Sequence, residues 1–67
     1  MIKLKVTGMT CEHCEKAVAQ ALSQVAGVDQ VVEVDRERDL AVVDGRAEED
    51  ALLAAVSEEG YEAAVAG

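Results

Sequence analysis

Four glycines, Gly8, Gly27, Gly45 and Gly60, cut this chain into short segments of distinct hydrophobic period, and that punctuation constrains its fold more than any other feature. Ahead of the first, Ile2, Leu4 and Val6 alternate with Lys3, Lys5 and Thr7, the pattern of a strand that buries one face. Between Gly8 and Gly27, Cys14, Ala17, Val18, Ala21, Leu22 and Val25 recur at steps of three and four, which predicts a helix from about Glu12 to Ala26 with Gly27 as its stop. Strands are expected over Asp29 to Asp35 and Leu40 to Asp44, joined by the charged turn Arg36-Glu37-Arg38-Asp39. Their buried faces stay open, because Val31 breaks the alternation of Val32, Glu33 and Val34, and Leu40-Ala41-Val42-Val43 does not alternate at all. After Gly45, Glu48-Glu49-Asp50 places acid where a helix dipole is positive, and Leu52, Leu53 and Val56 anchor a second helix that Gly60 ends. Tyr61 to Val65 is long enough for an edge strand.

That order is βαββαβ, the split arrangement of an α+β ferredoxin-like sandwich: a four-stranded antiparallel sheet with two helices on one face. A chain of 67 residues has room for one domain, spanning 1–67. With no Pro, Trp or Phe and one Tyr, its core must be built from Ala, Val, Leu and Ile, and it offers no aromatic platform for stacking bases. Fourteen acidic against six basic residues give a net charge of -8, which repels phosphate backbones and anionic lipid heads. Nucleic acid is therefore not an expected partner. The N-terminal Met1-Ile2-Lys3-Leu4-Lys5-Val6 lacks a continuous apolar run, so direct membrane insertion is not expected either, and the chain reads as cytoplasmic.

The chemistry is concentrated in Gly8-Met9-Thr10-Cys11-Glu12-His13-Cys14, which places the only two cysteines three residues apart at a strand-to-helix junction. A thiolate pair aimed at one point selects a soft ion such as Cu(I), and the chain has no third cysteine for a structural zinc or iron-sulfur set. Cys14, in the first helical turn, should ionise readily beside unpaired backbone N–H groups; Cys11, in the loop, should be the more exposed. Met9 offers a thioether, although the usual use of Met is core packing, and Thr10 is expected to cap the helix. Glu12 reads as a solvated first-turn acid. His13 is expected to face solvent, since a neighbour one residue from a helical ligand points elsewhere.

A C-x-x-C pair alone is also used by redox enzymes and zinc sites, so the surrounding residues decide. Gly8-Met9-Thr10-Cys11-Glu12-His13-Cys14 resembles the G-M-T-C-x-x-C motif of heavy-metal-associated domains, and within them the bacterial CopZ-type copper chaperones. The likeness extends to Ala17 and Val18, to Gly27-Val28, and to Glu58-Glu59-Gly60-Tyr61 before the last strand. It implies a ferredoxin-like fold that holds Cu(I) between Cys11 and Cys14 and passes it to the metal-binding domain of a copper-transporting P-type ATPase. It also implies that Met9 packs inward, and that His13 has a secondary role toward extra copper in a copper-dependent homodimer. Tyr61, by the same resemblance, sits beside the metal loop, where its hydroxyl could donate to the sulfurs.

The expected function is a non-enzymatic cytoplasmic copper chaperone acting by ligand exchange. Three rivals share the features: an excised N-terminal domain of a heavy-metal P-type ATPase, a mercury or zinc carrier of the same family, and a small thiol oxidoreductase. The last conflicts with the missing Trp and Pro around the thiols and with the absence of any proline for a cis-proline loop.

Overall fold

The computed structural model describes residues 1–66 and has the expected order: β1 (Ile2–Thr7), α1 (Glu12–Ser23), β2 (Val28–Asp35), β3 (Leu40–Gly45), α2 (Glu49–Glu58) and β4 (Glu62–Val65). The strands form one antiparallel sheet in the order β2-β3-β1-β4. Each helix thus connects two strands separated by a third, and both helices pack on one face. On that face Leu4 and Val6 of β1 and Ala41 and Val43 of β3 meet Val18 and Leu22 of α1 and Leu52 and Val56 of α2, all fully buried. Each helix contributes its pair one turn apart, so a single stripe per helix suffices to seal the sheet. Full burial of a Val or Leu contributes about 1.5–3 kcal/mol, and a core without Phe or Trp depends on filling this layer closely.

The two ambiguous strands resolve through bulges. β2 passes β3 with register shifts between Val28 and Gln30 and between Val31 and Glu33. Each shift inserts an extra residue, so the inward positions become Val28, Val31 and Val34, three apart instead of two. Val32 is left 45 % exposed as a result. On β3, Ala41 and Val43 face the helices, while Val42 is buried outside that core cluster, opposite Lys3 in the neighbouring strand.

Other boundaries differ by small amounts with identifiable causes. α1 ends at Ser23 rather than Ala26 because the Val25 amide donates to the Leu22 carbonyl at 3.1 Å, tightening the turn before Gly27 reverses the chain at φ 95°. The Tyr61 amide is taken by the Val56 carbonyl at 3.4 Å, so β4 begins at Glu62. The β2–β3 turn is organised by Asp35, whose Oδ1 accepts from the Glu37 and Arg38 amides at 2.9 and 3.3 Å. A bond that sequence pattern did not reveal joins this turn to α1: the Glu15 carboxylate accepts from the Arg36 amide at 2.8 Å and from its guanidinium at 3.0 Å. Hydrogen bonds to charged groups contribute about 1.5–3 kcal/mol, less where water competes, as it does at this half-exposed pair.

At the end of the sheet remote from the cysteines, Gly27 and Gly45 touch. The Arg46 amide donates to the Gly27 carbonyl at 2.8 Å, and a Cβ on Gly45, whose φ is 136°, would collide with that carbonyl. Gly60 also has positive φ, 92°, but a Cβ there would meet nothing. Gly60→Ala is therefore expected to cost about 1–2 kcal/mol, the ordinary penalty of left-handed backbone. Gly45→Ala should cost clearly more, because backbone must move. Urea unfolding of the two variants side by side checks this; equal losses would refute the close approach.

Candidate functional site

β1 is an inner strand, and the loop after its last residue leads to both thiols, Cys11 at the cap of α1 and Cys14 in its first turn. Cys11 has extended backbone, φ -157° and ψ 176°, and its carbonyl accepts from the Cys14 and Glu15 amides at 3.0 and 3.3 Å. It is Cys11, not Thr10, that occupies the cap position of α1, and no side chain caps that end. The expected capping role of Thr10 is thus corrected: its Oγ1 lies 3.7 Å from the Cys14 Sγ, one helical turn on.

The two sulfurs are 3.9 Å apart, both free, with Cys11 exposed and Cys14 half-buried against the core. Among the described residues no cluster of three or more His, Cys, Asp or Glu side chains is arranged to hold a metal ion. Met9 is 7 % exposed and part of the core, so it holds the loop down from below. His13 and Glu12 are exposed.

Tyr61 reaches this loop because of strand register. Thr7 pairs with Glu62, so the residue before β4 stands beside Gly8, the residue after β1. A Cβ on Gly8 would lie 3.4 Å from the Tyr61 ring, and the φ of 100° at Gly8 independently favours glycine. Tyr61 is the foremost of the groups that pull the Cys14 thiol down from 9.0 to about 6, acting as hydrogen-bond donor; the Thr10 amide and hydroxyl and the Cys11 amide add to it, and desolvation opposes. The phenol responds in the opposite sense, raised first by Cys14, then by desolvation and by the charges of Cys14, Cys11 and Glu59. The expected ready ionisation of Cys14 is therefore present, with donors from Tyr61 and Thr10 as its foremost causes. Glu59, part of the Glu58-Glu59-Gly60-Tyr61 run ahead of β4, adds its charge beside the Tyr61 phenol.

This chain matches the heavy-metal-associated domain over residues 3–62. The chain belongs to that family. It is 40 % identical to the mercuric reductase of Serratia marcescens over 98 % of its own length, but spans only 15 % of that enzyme. To the copper chaperone CopZ of Staphylococcus haemolyticus it is 34 % identical, with 88 % of this chain and 90 % of the chaperone covered. Among solved structures, a copper-binding domain from HMA7, a P-type ATPase, superposes with a TM-score of 0.92 at 30 % identity, covering 98 % of this chain and 92 % of that one. The family assignment and the ferredoxin-like fold agree with the resemblance read from the motif. The relatives are metal chaperones and metal-binding domains, the reductase matching at the level of one domain. Among the described residues no helix is long and apolar enough to cross a membrane.

The site generates a pH prediction. In the Cys11→Ser variant, where Cys14 is the only thiol, alkylation by iodoacetamide reads the thiolate fraction. Its rate should be near maximal at neutral pH and fall as pH drops through about 6. Tyr61→Phe removes the foremost donor and should move the midpoint up, toward the ordinary thiol value. Superimposable profiles for the two proteins would remove Tyr61 from the site.

Proposed function

We propose that this domain carries Cu(I) between the sulfurs of Cys11 and Cys14 and delivers it to the metal-binding domain of a copper-transporting P-type ATPase in the cytoplasm, without catalysing a reaction. One observation carries the reading: two thiols 3.9 Å apart at the start of α1, Cys11 exposed and Cys14 half-buried, with no cluster of three or more His, Cys, Asp or Glu side chains among the described residues. A metal–sulfur bond is about 2.3 Å, so a linear S–metal–S unit spans at most about 4.6 Å. An opening of less than about 1 Å brings the pair to that geometry, and the exposed Cys11 is free to supply it. The donor set suits a soft, two-coordinate cargo ion.

Exchange follows from the asymmetry of the two sulfurs. Cys14 is partly buried, with the Thr10 hydroxyl 3.7 Å from its sulfur and Tyr61 holding its pKa down, while Cys11 is open to an incoming thiolate. A partner cysteine attacks the metal, Cys11 departs, a second partner cysteine attacks, and Cys14 leaves last. Metal charge and thiolates are conserved throughout, and the ion is never free. The similarity to CopZ over nearly its full length and to the HMA7 domain supports copper as cargo. A second reading, a mercury carrier, is favoured by the identity to mercuric reductase, and the same two sulfurs fit Hg(II). His13, exposed and adjacent to the pair, is assigned to metal-rich or dimeric species only.

Cys11→Ser and Cys14→Ser should each abolish retention of the single Cu(I) equivalent against a competing chelator, whereas His13→Ala should keep it. Wild-type retention in either cysteine variant would overturn the two-sulfur site. Competition between Cu(I) and Hg(II) on the same protein separates the two cargo readings.

Transfer to a soluble ATPase metal-binding domain is expected to rise with partner concentration. It should slow as salt approaches physiological strength, where the screening length is about 8 Å, because a chain of net charge -8 docks on a locally basic surface. A transfer rate equal to spontaneous copper release, whatever the partner concentration, would make the protein a buffer instead.

A further inference from the structure

The sheet has two edges, and they are defended differently. β2 carries two bulges and three acidic residues, Asp29, Glu33 and Asp35, devices that discourage pairing with another strand. β4 is protected only by its shortness, four residues, and by one acid, Glu62; it has no bulge, Lys or Pro, and its outer side is unpaired among the described residues. Its ladder with β1 determines which backbone groups are free. The Ala66 amide donates to the Lys3 carbonyl at 2.9 Å, and Ala64 and Glu62 stand opposite Lys5 and Thr7 in the same phase. These residues bond inward, so the N–H and C=O groups of Ala63 and Val65 point away from the sheet.

Beside this edge runs a groove of about 480 Å³ between α2 and β4, lined by Leu53, Ala54, Ser57, Tyr61, Glu62 and Ala63. Leu53 and Ala63 are half-buried and apolar, and Glu62 is the only charged residue along it. Glu62, at the end of this groove, also borders the opposite, open face of the sheet, where its neighbours on β1 are Thr7 and Lys5.

We propose that the outer edge of β4 is a strand-addition site for an extended, basic segment of a partner protein. The segment pairs with the free groups of Ala63 and Val65, lays alternate apolar side chains against Leu53 in the groove, and presents its basic side chains to Glu62 on the other face. Charge selects this occupant over a second copy: two chains of net charge -8 repel, whereas a cationic strand is attracted by the whole molecule as well as by Glu62. The proposal does not depend on which ion Cys11 and Cys14 carry.

The test titrates the ¹⁵N-labelled full chain with a six-residue peptide of alternating Lys and Val, and with its Glu and Val counterpart. Saturable shifts are expected at Ala63, Ala64, Val65 and Leu53 with the basic peptide and none with the acidic one. Val65→Pro deletes one outward N–H and leaves the β1 ladder intact, so it should weaken binding about tenfold. Glu62→Lys, which alters no backbone group, should weaken the basic peptide and admit the acidic one, and it keeps the test decisive if the proline variant fails to fold. Cu(I) retention, followed in parallel, is expected to be unchanged in both variants, so loss of metal binding and loss of peptide binding read out separately. Shifts centred elsewhere, or wild-type affinity in both variants, would overturn the proposal. So would concentration-dependent shifts along β4 without peptide, which would make a second copy the occupant.

Discussion

The pairing of β1 with β4 is the constraint on which the rest of this structure depends. It places Glu62 opposite Thr7, and by doing so sets Tyr61 beside Gly8 at the start of the thiol loop. Residues separated by more than forty positions in sequence become one site because a ladder of backbone hydrogen bonds holds them in phase. A slip of one residue would turn Tyr61 and the inward Ala63 to the wrong sides together, removing a donor from Cys14 and opening the core.

The division of labour within the site follows from that frame. Met9, buried below the loop, and Cys14, packed on the core, anchor one half; Cys11 and His13 face solvent on the other. Donors gather on the anchored sulfur, from Thr10 one turn back and from Tyr61 across the sheet. The carrier role proposed for this domain requires a site that holds its ion yet yields it to a competing thiolate. One sulfur held and one exposed meets that requirement without any moving lid. The family includes proteins named for copper and for mercury, which accords with a site whose selectivity lies in sulfur softness and two-fold geometry rather than in an enclosed cage.

The acidity of the chain acts at longer range than any of these contacts. With fourteen carboxylates, few are tied down: Glu15 to Arg36, Glu33 to Arg38, and Asp35 to its own turn. The remainder provide a field that repels like-charged chains and attracts cationic surfaces.

Much of the architecture was determined by the sequence alone, because period and punctuation are local properties. The alternation of Ile2, Leu4 and Val6, the stripe from Cys14 to Val25, and glycines at the turns suffice for the βαββαβ order, and the motif from Gly8 to Cys14 suffices for the family. Three things were decided only by tertiary structure. The inward face of β2 followed from two bulges, since an inserted residue changes which valines face the core without leaving any mark in composition. Thr10 became a neighbour of Cys14 instead of a cap, because the chain enters α1 one residue later, at Cys11. The foremost cause of the low Cys14 pKa is a tyrosine that the family resemblance set beside the loop, but that strand register brings there: the periodicity of β1 and β4 alone names neither strand's partner until both pack under the same helices.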